Sequence, residues 1–304
     1  MKMKNRSKLR FQFLLAGIIA LYSCNNPSNN SENTEELKDS ASDIKEAQKE
    51  NKNTNVFYSI PSPIQLGQLL QRAGAKYDKA MLNSPENVSK YSTHAGQALN
   101  LGVYGADMSY SAIFSQNQEC MQFLESSKKL ADGLGSSGAF ASATINRLKN
   151  NSGSKDSMLT IISEIFLNSN ESFKENEQGN SGLLGIAGGF VEGLYIGTQV
   201  AEKLKDNAGI VTRIAELKGS VNNIVALLGT QANDPEITAI LTDLKEIKAI
   251  YDEMKMEASN TTVSSDAAKN VITIGGGSKY TLDKDQLERI TAKIKILRTK
   301  ITQV

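Results

Sequence analysis

Past residue 56 the apolar side chains recur in steps of three and four, the spacing that lines one face of a helix. The rhythm is plainest towards the C-terminus. Ile210, Ile214, Leu217, Val221, Ile224 and Leu228 form one stripe, which Gly229 stops. Asp234-Pro235-Glu236 opens the next helix, with Ile237, Ile240, Leu244, Ile247, Tyr251 and Met254 in step. Two such stripes joined by a short turn predict an antiparallel helical hairpin. Asp283 and Gln286 form a capping box for a final helix that buries Leu287, Ile290, Ile294, Leu297 and Ile301.

Similar punctuation organises the first half. Ser62-Pro63 predicts a cap and a first helical residue, followed by Ile64, Leu66, Leu69 and Leu70 and a stop near Gly74. Ser84-Pro85-Glu86 repeats the signal and predicts one long helix through Val88, Tyr91, Ala95, Leu99 and Val103 to Ala106. Further helices are expected at 116–132, ending in Gly133 and Gly135, and at 138–150. Ser154 or Asp156 caps another, with Leu159, Ile162, Ile165 and Phe166 on its inner face.

Gly179 to Val200 (GNSGLLGIAGGFVEGLYIGTQV) carries Gly185, Gly189, Gly193 and Gly197 every four residues, a nearly bare stripe along one side of a helix. Each interior glycine costs roughly 1 kcal/mol against alanine, and close backbone packing is the usual compensation. A second glycine-studded helix contains Gly96, Gly102 and Gly105. Its Leu101–Ala106 resembles Leu184–Gly189, which predicts that the two helices touch; close packing accounts for the likeness without invoking a duplication. Val271–Ile274 and Ser278–Thr281, separated by three glycines, predict a β-hairpin. The fold class is therefore all-α: a single multi-helix bundle around a glycine-striped central helix, with a small β-hairpin near residues 271–281.

The first residues belong to none of this. Lys2, Lys4, Arg6, Lys8 and Arg10 precede an apolar run from Phe11 to Leu21, too short to span a bilayer. Leu21-Tyr22-Ser23-Cys24 follows, and resembles the lipobox of bacterial lipoproteins. The resemblance implies diacylglycerol on the Cys24 sulfur, and several acyl chains hold a protein on a membrane durably. Residues 1–23 are then a signal peptide, 24–55 the lipidated cysteine and a disordered tether poor in apolar side chains, and 56–304 the helical domain. The LYSC box, Tyr58–Pro63 (YSIPSP) and Leu99–Tyr110 (LNLGVYGADMSY) together resemble small helical lipoproteins of Bacteroidota-type bacteria, a group with no assigned activity. That implies a lipid-anchored place in the cell envelope, facing the periplasm, and no catalytic residues.

Removing the leader takes away five basic residues and no acids, which turns a formal charge of +1 into −4. A mildly acidic surface offers nucleic acid no footprint. Cys120, the second of two cysteines, has no partner for an internal disulfide once Cys24 is acylated and is expected in the core. One histidine, His94, and no cysteine pair argue against a transition-metal site, and no cofactor is expected. Gly275-Gly276-Gly277-Ser278-Lys279 lacks the spacing of a phosphate loop and predicts a turn.

Two acids stand out. Glu192 sits in the most apolar run of the chain, and Asp107 follows the matching segment of the earlier helix. Burial raises carboxyl pKa values or demands donors, for which Tyr104, Tyr110 and Tyr195 are the candidates. Three functions fit: a tethered helical domain binding another envelope protein or a small ligand; an enzyme or ligand carrier with a polar site at Asp107 and Glu192; and bilayer insertion of 183–200. The third is opposed by the charge of Glu192.

Overall fold

The computed structural model describes residues 62–176, 178–257, 262–266, 271–275 and 279–303. The leader with Cys24, the tether 25–55, Tyr58 to Pro61 and the glycine turn at 276–278 lie outside them. Helix α1 (Pro63–Arg72) opens as its sequence predicts, with Ser62 and Gln65 in a reciprocal capping box. Gly74 ends it at φ +89°, where a side chain would be strained.

The second proline signal has a different outcome. Ser84-Pro85-Glu86 starts only a 3₁₀ turn, Pro85–Lys90. The long helix α2 (His94–Ile113) begins afresh where the Thr93 hydroxyl accepts from the Gly96 N–H. Tyr91 breaks the predicted run: its ring is buried and its phenol donates to the Thr302 carbonyl, which holds the chain extended at that point. Next come α3 (Asn117–Gly133), α4 (Ser142–Asn150) and α5 (Lys155–Glu175), the last capped by Ser154.

The central helix α6 (Gly179–Lys203) lies against α2, as the two glycine patterns predict. His94 is beside Ser181, Leu99 against Gly188 and Gly102 over Gly185 and Gly189, so the two helices run parallel. At Gly102 a Cβ would collide with the Gly185 carbonyl and the Gly189 amide, and at Gly188 with the Leu99 carbonyl. Gly188 lies off the four-residue stripe. Gly185 is less confined, since a Cβ there would stand 3.5 Å from the Ala98 oxygen. Helix α6 is long and apolar enough to cross a membrane, yet 72% of that window is buried inside the fold.

The stripe from Ile210 to Leu228 is split into α7 (Ala208–Glu216) and α8 (Lys218–Gly229) rather than continuous. The Ile214 carbonyl, which an unbroken helix would pair with the residue four on, accepts from the Leu217 N–H three residues on at 3.1 Å and from the buried Tyr251 phenol at 3.0 Å. Tyr251 belongs to α9 (Pro235–Asp252), capped by Asp234 and paired with α8 as the expected hairpin. The capping box of Asp283 and Gln286 starts α10 (Lys284–Thr302), which packs on α6 and α9.

The small β-element is present, with partners other than those the turn suggests. Strand β1 (Lys255–Glu257) pairs with β4 (Lys279–Thr281), and β2 (Thr262–Asp266) with β3 (Val271–Gly275), all antiparallel. The segment 262–266 (TVSSD), though polar, is a strand because its backbone supplies the ladder for Val271–Gly275. The fold is an all-α bundle with this β-ribbon attached.

Candidate functional site

Asp107 on α2 and Glu192 on α6 are both completely buried, where the parallel glycine helices meet α10. The cation that meets Glu192 comes from α10. Arg298 lies four residues after Ile294 and three before Ile301, so helical spacing turns it to the edge of the buried face. Its Nε donates to Glu192 Oε2 at 3.0 Å and its Nη2 to Oε1 at 3.1 Å, a two-pronged clasp. Nη2 also reaches the Met81 carbonyl at 3.4 Å, and the guanidinium lies 4.7 Å from the centre of the Tyr195 ring.

Asp107 has a different environment. Its Oδ2 accepts from the Asn83 N–H at 3.1 Å, while Oδ1 is buried with no hydrogen-bond partner of its own. Burial, and then the Glu192 charge beside it, hold its pKa well above the usual aspartate range. Burial pushes Glu192 up as well, and the Arg298 guanidinium opposes that rise. Burial also works against the charge on Arg298, but Glu192 outweighs it and the net shift is upwards. Of the two acids, Asp107, which lacks the cation, is the one pushed furthest towards its neutral form.

The tyrosines divide. Tyr195 joins the cluster through its ring. Tyr104 donates to the Ser84 carbonyl at 2.9 Å and Tyr110 to the Lys76 carbonyl at 3.0 Å, so both pin the 76–84 segment instead of serving the acids. Asn83 continues the tie: its side chain donates to the Tyr91 phenol and to Asn100, and Asn100 donates to the Ile301 carbonyl at 2.8 Å. Loop, α2 and the end of α10 are held together by this belt. His94 is exposed, and Cys120 is buried with its thiol pushed up to about 12 by burial.

An opening of about 320 Å³ lies elsewhere on the α2–α6 pair. Its walls are Leu101 and Met108 from α2, Ile165 and Phe166 from α5, and Ile186 and Phe190 from α6. Neither Asp107 nor Glu192 belongs to it, and among the described residues the wall carries no Asp, Glu, Lys, Arg or His. Gly102, Gly185 and Gly189 lie in the same wall, so the close helix contact contributes bare backbone to it. Among the described residues no group of three His, Cys, Asp or Glu is placed to hold a metal ion.

Sequence reasoning found both acids but missed their partner. Arg298 sits in KIKILRTK among lysines that face solvent, and only its position beside the Ile294–Ile301 stripe sets it apart. The cavity had no local signal, because its wall is assembled from α2, α5 and α6 with contributions from α1 and α3. Compared with known proteins, the chain matches no family model, no curated protein and no solved structure.

Proposed function

We propose that this is a lipid-anchored protein of the bacterial cell envelope whose helical domain binds an apolar small molecule. The observation that carries the reading is the cavity, whose volume of about 320 Å³ falls in the range of small-ligand sites, roughly 300–1,000 Å³. Its wall is mostly apolar side chains and bare backbone, which suits a hydrocarbon body. The basic leader and the Leu21–Cys24 box support the anchor. The Asp107–Glu192–Arg298 cluster is taken as structural, because both Glu192 oxygens are held and neither acid reaches the cavity.

Native mass spectrometry of the purified full chain tests the binding. A bound apolar molecule, carried through purification or taken up on addition, is the expected result. Ile186→Trp, which fills the cavity from a half-buried wall position, removes it while the helical circular dichroism is kept. A wild-type chain that takes up no apolar molecule at all ends this reading.

A further inference from the structure

We propose that the cavity selects an uncharged, lipid-like molecule with a single hydrogen-bonding group, an alcohol, ketone or ester, and that Ser127 on α3 engages that group. The inference rests on the apolar-ligand reading above and adds what the ligand must carry.

The hydroxyls of the wall separate cleanly. Ser62 is the cap of α1 and accepts from Gln65. Ser163 donates to the Leu159 carbonyl and Ser169 to the Ile165 carbonyl, each one turn back along α5. Ser127 is 1% exposed, and its Oγ has no partner. A buried hydroxyl left unpaired costs free energy that native structures seldom leave uncompensated. The usual remedy on a helix, donation to the carbonyl one turn back, is the one Ser163 and Ser169 take and Ser127 does not.

A water would be poorly held there. Buried waters keep their place through two to four polar partners, and beside the unpartnered Ser127 the other buried serine of the described wall, Ser169, has already given its proton to the Ile165 carbonyl. A ligand atom covalently attached to an apolar body needs only that one bond, since its body is held by the wall.

The sign of the ligand follows from the same wall. With no charged side chain lining it among the described residues, a carboxylate, phosphate or ammonium at the Ser127 end would be desolvated without a counter-charge. The exposed residues of the wall are Ser62, Gln65, Ser163 and Leu167, which mark the mouth. Ser127 lies on the buried part of the wall, with Met108, Phe140, Ile165 and Phe173. The molecule enters with its hydrogen-bonding group leading, and any bulky or charged group stays at the mouth.

The test compares three ten-carbon probes, decane, 1-decanol and decanoate, on the purified full-length chain by displacement of a fluorescent hydrocarbon probe. The wild type is expected to bind 1-decanol about three- to tenfold more tightly than decane, the gain of one net hydrogen bond, with decanoate weakest. Ser127→Ala erases the advantage of the alcohol and leaves decane unchanged; Ser127→Thr keeps a hydroxyl and keeps part of it. Equal binding of alcohol and alkane, or an advantage that survives Ser127→Ala, overturns the assignment to Ser127 while the apolar cavity stands. Decanoate binding as tightly as 1-decanol overturns the uncharged requirement. Failure of all three to bind overturns the cavity reading and this inference with it.

Discussion

Arg298 clasps both oxygens of Glu192 across 106 residues of sequence, at 3.0 and 3.1 Å, in a place where the acid has no exposure at all. A pair of this kind is worth little against an apolar substitute, because both charges were taken out of water to make it. Breaking it from one side is another matter. Arg298→Met leaves Glu192 buried without its cation and is expected to cost about 3–5 kcal/mol in urea unfolding at neutral pH. Replacing Glu192 by Gln in the same chain returns much of that loss, as a double-mutant cycle measures. A single-variant cost below about 1 kcal/mol would mean that Glu192 reaches water or another donor in solution.

Asp107 makes a prediction with a definite sign. Its pKa in the fold lies well above the value of about 3.9 that an unfolded chain has. Between those two values the folded chain binds more protons than the unfolded one, so stability is highest below the unfolded pKa and falls as pH rises. Asp107→Asn keeps an oxygen for the Asn83 N–H and removes the titrating group. The variant is expected to match the wild type near pH 4, to exceed it at pH 7, and to show a flatter stability profile between them. An unchanged slope in urea midpoints from pH 4 to 8 would place the proton elsewhere.

Local signals carried most of the helix map. Ser62, Ser154, Asp234 and Asp283 cap the helices they were read to cap, and Gly74 stops the first one. Departures come from partners distant in sequence. Tyr251 takes the Ile214 carbonyl and splits one expected helix into two, and Tyr91 reaches Thr302 and delays the start of another. No window of neighbouring residues encodes either contact. The same holds for the acids. Their burial was legible because their neighbours are apolar, whereas the identity of the cation depended on how α10 comes to lie on α6. The tyrosines nearby in sequence were the plausible donors, and two of them proved to be committed to the 76–84 segment.

The anchor is tested through Cys24. A full-length chain expressed in a bacterium that matures lipoproteins is expected to incorporate labelled palmitate and to begin at an acylated Cys24 in intact-mass spectra. Cys24→Ser abolishes the label and leaves the leader uncut. A mature wild-type chain starting at any other residue, or an unlabelled one, would return residues 1–23 to the status of an ordinary secretory signal.

The glycines separate by what stands opposite them. At Gly102 a methyl group would press on the backbone of Gly185 and Gly189, and backbone in two packed helices has nowhere to move. Gly102→Ala is therefore expected to destabilise by about 1–3 kcal/mol or more, the cost of overpacking, despite the better helix propensity of alanine. At Gly185 the added methyl would meet the Ala98 oxygen at 3.5 Å, an ordinary contact. Gly185→Ala then keeps the propensity gain of up to roughly 1 kcal/mol and raises the melting temperature. Thermal unfolding of the two variants beside the wild type gives shifts of opposite sign if α2 and α6 truly pack backbone to backbone. Equal shifts would mean that the glycine stripe serves α6 alone and that the two helices stand further apart in solution.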